Sequence, residues 1–305
     1  MSIIQHRCRV VSTLADTLYG AVHICHDLAA IVEGADPDDA LVVLKHVSLH
    51  RAMNIINTPR PSSQQAPDDP RQEKSVANAL RQAGGHRHVV RYRDDFIAGS
   101  ELYFVQDHCA GGDLYSLVSL GEGKGTRRLS CSSAMAVLAQ VASGVAYLHA
   151  HDIAHRDLSL ENVFVKDGAC QVGDFGLATR RPRGCRGRVG KAYYMAPEVA
   201  ACEEYDAKAA DIWSLGVMLF IMLTGSPLVS NAMTALKTFQ LMMTGGGVAF
   251  VLEAWGVDTS EWGPVVDLLA GMVVVDPAKR WSIEQVLDHI AFAGSGDEAV
   301  NMNLL

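Results

Sequence analysis

The 305-residue sequence lacks paired cysteines. Its seven cysteines are far apart, and none forms a C-x-x-C pair, the spacing common in zinc sites and redox motifs. Scattered thiols are typical of reduced cysteines in the cytosol rather than of a disulfide-linked secreted domain. We therefore expect a cytoplasmic protein with neither a disulfide framework nor a zinc site. The cysteines are Cys8, Cys25, Cys109, Cys131, Cys170, Cys185 and Cys202.

Excess positive charge and long apolar runs are also missing. The formal net charge of −8 argues against nucleic acid as a partner. The most apolar helix candidate, residues 212–223, contains Ser214 and Gly216 and is shorter than the roughly 20 residues that a membrane span needs. Residues 1–7 are not followed by the apolar run of a signal peptide. These features predict a chain without membrane insertion, and its 49% apolar residues suffice for a sizeable core.

One stretch in the middle of the chain contains residues suited to phosphoryl transfer. This reaction needs a carboxylate to accept the proton of the substrate hydroxyl, and oxygen ligands for the magnesium ions that screen the phosphates. The order and spacing of these residues resemble the catalytic core of eukaryotic-type protein kinases. The resemblance implies that Asp157 is the base and that Asn162 and Asp174 bind Mg²⁺. The motifs are His155-Arg156-Asp157, then Asn162, then Asp174-Phe175-Gly176.

The resemblance extends over roughly residues 12–292 and implies a two-lobed α+β fold with ATP in the cleft. The small lobe would be antiparallel β structure with one main helix, and the large lobe mainly α-helical. Four prolines and no apolar run predict a flexible insert at residues 57–72. We expect a monomer. The kinase domain would span residues 8–292, as small lobe 8–106, hinge 107–113 and large lobe 114–292, followed by a tail at 293–305.

Two residues in the first third of the chain match the nucleotide-binding pattern. Lys45 ends a Val-Val-Leu-Lys run in a strongly strand-prone segment, where the family has the lysine that contacts the α- and β-phosphates. Glu73 is the only acid in the following helical segment, so it is the candidate partner of Lys45. The alternatives are a solvated strand lysine and a solvated helix glutamate.

The phosphate-covering loop departs from the family pattern. That pattern is G-x-G-x-x-G-x-V, in which glycines let the backbone approach the phosphates. Only Gly20 and Val22 match, while Ala15, directly after Leu14, and Thr17 occupy the first two glycine positions. We expect a stiffer loop and weaker ATP binding.

A polar segment after the strand-like residues 102–105 resembles the hinge between kinase lobes. Gln106 takes the gatekeeper position, and the backbone groups of Asp107 and Cys109 would pair with adenine. Tyr-Met-Ala-Pro-Glu at 194–198 and Asp-Ile-Trp-Ser-Leu-Gly at 211–216 favour Ser/Thr over tyrosine specificity.

Two further departures have opposite chemical character. Ser/Thr kinases usually have lysine two residues after the catalytic aspartate, where this chain has Ser159. They usually have threonine where this chain has Lys191, a position expected to approach the catalytic aspartate. We hypothesise a reciprocal exchange, in which Lys191 supplies the ammonium for the γ-phosphate and Ser159 the hydroxyl.

The segment between Asp174 and Glu198 has no serine, and Thr179 is its only threonine. Arg156 would normally receive a phosphate from this segment. The candidate acceptors are Thr179, Tyr193 and Tyr194, and we interpret the two tyrosines as packing or substrate-groove residues. We therefore predict that phosphorylation here is not strictly required for activity. The run of five arginines between 180 and 188 would favour acidic substrates, or would be a solvated basic loop.

Three residues of the large lobe match structural positions of the family. Asp211 would brace the backbone of the catalytic loop, and Arg280 would pair with Glu198 inside the lobe.

We interpret the chain as an active Ser/Thr protein kinase that uses ATP and Mg²⁺ on protein substrates, with a regulatory protein able to bind through the small lobe. The rival is a pseudokinase scaffold, suggested by the altered glycine loop and Ser159. A small-molecule kinase fits the Ala-Pro-Glu ending less well.

Overall fold

The computed structural model describes most of the chain, including every residue of the motifs above. The predicted tail at 293–305 lies outside the described residues. The described ranges are 3–37, 39–59, 61, 64–119, 127–229 and 232–292.

A six-stranded antiparallel sheet forms most of the small lobe, in the order β1-β2-β3-β4-β6-β5. Alternate residues of β4 point to opposite faces. Val42 and Leu44 are fully buried beneath one face, which leaves Lys45 on the other. The strands are β1 Ile3–Ile4, β2 Cys8–Asp16, β3 Gly20–Asp27, β4 Leu41–Ser48, β5 Tyr92–Ala98 and β6 Glu101–Asp107.

Within the described residues the small lobe contains three helices, whereas the sequence predicts one main helix. They are α1 Leu28–Val32, α2 Leu49–Asn57 and α3 Pro70–Gln82. The last is the longest, and it begins three residues before the predicted Glu73 because Pro70 occupies its first turn and the Asp69 side chain caps it. Helix α2 was not predicted. The predicted insert is therefore shorter than 57–72, since both of its ends are helical.

Two long helices organise the large lobe. In α7, Ala207–Thr224, Asp206 caps the N-terminus and Gly225 ends the helix in the left-handed conformation, with φ 73°. By length and composition alone α5, Cys131–Ala150, and α7 could cross a membrane, but 83% of α7 is buried inside this lobe. The helices are α4 Leu114–Val118, α5 Cys131–Ala150, α6 Pro197–Ala200, α7, α8 Ala232–Gly245, α9 Gly247–Ala254, α10 Val265–Met272 and α11 Ile283–Leu287.

The remaining short elements flank the motifs of the large lobe. A hairpin of β7, Val163–Lys166, and β8, Ala169–Val172, follows the 3₁₀ turn Leu160–Asn162. A second 3₁₀ turn, Ile290–Phe292, comes last among the described residues. The hairpin therefore lies between the predicted base and the predicted metal ligand Asp174.

The predicted pair of Arg280 and Glu198 is present in the core of the large lobe. The guanidinium donates to both carboxylate oxygens, at 2.7 Å and 3.0 Å, and lies 5.3 Å from the centroid of the Trp213 ring. This bidentate contact joins the helix after the activation segment to the C-terminal part of the lobe.

Candidate active site

Asp211 fixes the backbone of the catalytic loop, as the sequence suggested. Its two carboxylate oxygens accept hydrogen bonds from the amides of His155 and Arg156, both at 2.8 Å. His149 Nε2 lies 3.0 Å from the same carboxylate. Arg156 has a φ of 64°, which is unfavourable for a side-chain-bearing residue. These buried bonds hold the loop in that conformation one residue before Asp157.

The carboxylate of Asp157 is held by three donors. Asn162 Nδ2 donates to Oδ2 at 2.7 Å, the Lys191 amide donates to Oδ1 at 2.8 Å, and Lys191 Nζ donates to Oδ2 at 3.0 Å. All three donors act on the two carboxylate oxygens, so they fix the orientation of the side chain. A general base has to be held within reach of the proton that it accepts.

Lys191 Nζ also lies 3.0 Å from Ser159 Oγ. The two positions that differ from the family in opposite directions are therefore in contact, as the exchange hypothesis requires. Ser159 is fully buried, so its hydroxyl has a fixed position under the lysine. Whether the two residues act together in catalysis stays a hypothesis.

Lys45 lies between two carboxylates. Its Nζ donates to Glu73 at 3.1 Å and 3.0 Å and to Asp174 Oδ1 at 3.0 Å. Burial acts to lower the pKa of Lys45, but the nearby Asp174 and Glu73 outweigh it and leave the pKa raised. The charge of Lys45 lowers the pKa of Asp174 to about 2. Lysine and aspartate are therefore both charged at neutral pH, as phosphate and metal binding would require.

The sequence reasoning missed Tyr92. This fully buried hydroxyl donates to Glu73 Oε1 at 2.8 Å, so Glu73 is held by Tyr92 as well as by Lys45. The Tyr92 ring lies 5.9 Å from that of Phe175, which in turn lies 5.2 Å from His155. A chain of ring contacts thus joins the small lobe to the catalytic loop. No local sequence signal marks a strand tyrosine for this role.

Asn162 and Asp174 fit the chemistry of a magnesium site. Asn162 uses its amide nitrogen on Asp157, so its amide oxygen is the atom left for a cation. The Gly173 amide donates to the carbonyl of Asn162 at 2.9 Å, which brings the residue before Asp174 against Asn162. Asp174 has a φ of 58°, a strained conformation of the kind that functional sites hold in place. Amide and carboxylate oxygens are the ligands that Mg²⁺ prefers.

Comparison with known proteins identifies the family. The model of the family described as Protein kinase domain matches residues 36–292. The chain belongs to the protein kinase family. Its relatives include Serine/threonine-protein kinase kin-29 of Caenorhabditis elegans, 32% identical over 209 residues, and Serine/threonine-protein kinase SAPK3 of Oryza sativa subsp. indica, 32% identical over 219 residues.

The alignments cover 67% and 68% of this chain but only 24% of the worm protein and 61% of the rice protein. The match to the family model begins at residue 36, so the first three strands and the altered glycine loop lie before it. A domain boundary at residue 8 therefore stays a prediction.

The position of the glycine loop is a tight hairpin between β2 and β3. The Thr17 amide donates to the Gly20 carbonyl at 2.9 Å, and the Gly20 amide donates to Thr17 Oγ1 at 3.1 Å. A Cβ at Gly20 would lie 2.2 Å from the carbonyl oxygen of His46, so the sheet itself requires this glycine. Val22 lies opposite Lys45 in the sheet. Leu14 and Ala15 are in β2, before the turn.

The predicted hinge contains a side-chain contact between lobes that was not foreseen. Asp107 accepts from Arg93 of the small lobe and from Lys166 of the large lobe, both at 2.6 Å. Gln106 lies opposite Val43 in the sheet. Cys109 Sγ donates to the Gln171 side chain at 3.5 Å, and burial raises the pKa of this thiol to about 11. The predicted adenine contacts of the Asp107 and Cys109 backbone stay predictions.

The activation segment is held by hydrogen bonds around Thr179 and Arg156. Thr179 is 8% exposed, its backbone pairs with Ala154 in both directions, and its hydroxyl accepts from the Arg181 amide at 3.1 Å. Arg156 Nε donates to the carbonyl of Leu177 at 2.6 Å. The only threonine of the segment is thus turned away from solvent, and the predicted phosphate receptor has a backbone partner. This favours the prediction that loop phosphorylation is not required.

Proposed function

We propose that this chain is an ATP- and Mg²⁺-dependent protein serine/threonine kinase. The observation that carries the proposal is the joint arrangement of Lys45 with Glu73 and Asp174, and of Asp157 with Asn162 and Lys191. Both halves of the phosphate-transfer machinery are assembled in one conformation. The family membership and the names of the relatives support the same reaction.

Each residue has a distinct task in this proposal. Lys45, held by Glu73, binds the α- and β-phosphates. Asn162 and Asp174 hold Mg²⁺, which when bound screens the phosphate charge. Asp157 orients the substrate hydroxyl and accepts its proton as the oxygen attacks the γ-phosphate. Lys191 keeps the Asp157 carboxylate in place and offers an ammonium to the γ-phosphate.

The nearby structural residues keep these groups in register. His155 Nε2 lies 2.9 Å from the carbonyl of Gly173, directly before Asp174. Phe175 is fully buried against His155 and Tyr92. Positioning of this kind can contribute much of the rate of phosphoryl transfer, because the reaction depends on alignment and charge rather than on covalent chemistry.

The wider biology of the chain belongs to the same proposal. Its substrates are proteins, it acts as a cytoplasmic monomer, and a regulatory protein can bind through the small lobe. The predicted location rests on the seven scattered cysteines, which suit a reducing compartment.

Phosphate transfer from labelled Mg-ATP to a mixed peptide library tests the proposal. The expected result is label on serine and threonine, with little on tyrosine. In parallel, Mg-ATP should raise the melting temperature of the protein, since a ligand that binds only the folded state stabilises it. If no phosphate is transferred and Mg-ATP does not raise the melting temperature, the enzyme proposal is refuted and the scaffold alternative is favoured.

A further inference from the structure

The end of the predicted insert crosses the substrate side of the cleft. Residues 65–68, here called the strap, make hydrogen bonds to both lobes. The Ala66 amide donates to the carbonyl of Arg188 at 2.8 Å, and Gln65 Nε2 donates to the carbonyl of Gly190 at 2.7 Å. On the small-lobe side, the Tyr19 hydroxyl donates to the carbonyl of Asp68 at 2.9 Å.

The strap continues directly into the helix that carries Glu73. The Asp69 amide, one residue after the strap, donates to the carbonyl of Gly176 at 3.1 Å. A Cβ built at Gly176 would lie 2.8 Å from Asp68 Oδ2, so the Asp68 carboxylate rests on the glycine of the Asp-Phe-Gly motif. The strap is thus fixed at the motif that carries the proposed metal ligand.

The carboxylate of Asp68 lies among the charged groups of the site. Burial raises its pKa, and interactions with Asp174 and Asp157 act in the same direction, whereas Lys45 and Lys191 act to lower it. The two lysines are the cations that the proposed function assigns to the phosphates. Asp68 therefore interacts with the cations that bound ATP would use.

The other end of the strap lies where a substrate hydroxyl would approach Asp157. Gly190 has a φ of 82°, and a Cβ there would be 3.2 Å from Asp157 Oδ1. The Gln65 side chain uses the carbonyl of this same glycine. An extended peptide delivering its hydroxyl to Asp157 has to pass this backbone, and the strap already bonds to it.

We propose that the strap is an intramolecular competitor of both substrates, with Asp68 in place of phosphate charge and Gln65 and Ala66 in place of a bound peptide. The inference rests on the proposed function, because it uses the same site. It assigns residues 188–190 as a docking surface for an extended segment, which this chain fills with its own residues. Full activity then requires the strap to leave.

Binding of Mg-ATP to the full chain, measured by calorimetry, tests the inference with Asp68→Asn. When the strap occludes the site in part of the molecules, the apparent affinity for Mg-ATP is the intrinsic affinity multiplied by the fraction of molecules in the open state. If the strap fills the cleft in about 80% of molecules, its release strengthens binding about fivefold. Asp69→Asn is the matched control, because it changes the same charge one residue away, where the carboxylate bonds to Arg71 instead of facing the cleft. Its affinity should equal that of the wild type.

A second pair of variants tests the peptide side. Gln65→Ala should lower the KM for a peptide substrate, while Gln64→Ala, which changes an exposed neighbour outside the strap, should not.

Hydrogen exchange gives a readout without substitution: the amides of Ala66 and Asp69 should be protected in the free protein and exchange faster when a non-hydrolysable Mg-ATP analogue is added.

The outcomes separate this inference from the proposed function. Three results would overturn the strap proposal. Asp68→Asn could bind Mg-ATP no more tightly than the wild type, neither the wild type nor Asp68→Asn could bind Mg-ATP, or the analogue could increase the protection of the Ala66 and Asp69 amides. If the wild type transfers phosphate while Asp68→Asn binds Mg-ATP no more tightly, only the strap fails. If Asp68→Asn binds more tightly but no protein transfers phosphate, the strap stands and the enzyme proposal fails.

Discussion

Lys191 Nζ lies 3.0 Å from Ser159 Oγ and 3.0 Å from Asp157 Oδ2, so one ammonium joins the proposed base to the residue that replaces the usual lysine. The two departures from the family are therefore one contact rather than two separate losses. Residues in contact commonly show coupling energies of about 0.5–3 kcal/mol, whereas distant ones add.

This contact predicts a non-additive result for the reciprocal swap. Ser159→Lys alone would place a second ammonium group beside that of Lys191. Lys191→Thr alone would remove the ammonium group that lies between Asp157 and Ser159. Each should lower kcat/KM about tenfold or more, while the double variant recovers part of the loss, which corresponds to a coupling above about 1 kcal/mol. Steady-state kinetics on one peptide measures this. Losses that simply add would show that the residues act independently.

Removal of the Tyr92 hydroxyl should loosen the Lys45–Glu73 pair. Tyr92→Phe leaves buried Glu73 without one of its donors, and hydrogen bonds to charged groups contribute about 1.5–3 kcal/mol. Urea unfolding should show a loss of this size, together with weaker Mg-ATP binding. Tyr193→Phe is the control, because Tyr193 is 49% exposed. An equal effect in both variants would mean that the Tyr92 hydroxyl has no special role.

The buried pair of Glu198 and Arg280 should dominate the stability of the large lobe. Glu198→Ala leaves an unpaired buried guanidinium, which costs about 3–5 kcal/mol, so the melting temperature should fall sharply. Lys279→Ala removes the adjacent exposed cation, whose distance to Asp276 is 3.7 Å, and should change stability by less than about 1 kcal/mol. Similar melting temperatures for the two variants would contradict the assignment.

Alkylation of Cys109 should depend steeply on pH. Only the thiolate reacts, and burial holds the pKa of this thiol at about 11. Its rate with iodoacetamide, followed on the Cys109 peptide by mass spectrometry, should therefore rise about tenfold per pH unit between about pH 8 and 10. Mg-ATP should slow the reaction if the adjacent backbone binds adenine. A rate that levels off below pH 9 would refute the buried-thiol description.

The sequence located the parts of the site that have fixed motifs. The resemblance to protein kinases predicts the pairs Lys45–Glu73 and Glu198–Arg280, and the structure brings both pairs together. Such contacts are predictable because the motif carries its geometry with it. The two-lobed α+β fold was confirmed for the same reason.

Other features depend on where distant segments meet, which no local pattern encodes. Tyr92 resembles any strand tyrosine until the sheet and α3 are packed. Composition predicted a flexible insert, and its flexibility stays a prediction, but its bonds to residues 176, 188 and 190 arise only in the folded chain. Helix α2 does have a local signal, because Leu49, Ala52 and Ile56 recur at helical spacing.

The most direct test of catalysis is the phosphate-transfer rate of Asp157→Asn against wild type at saturating Mg-ATP and peptide. Asparagine keeps the shape of the side chain but cannot accept the proton. It also offers one acceptor oxygen fewer to Asn162 and Lys191, so circular dichroism and melting are measured alongside to show that the variant is folded. The account predicts a rate about 10²–10⁴-fold lower. An equal rate in a folded variant would show that Asp157 is not the base.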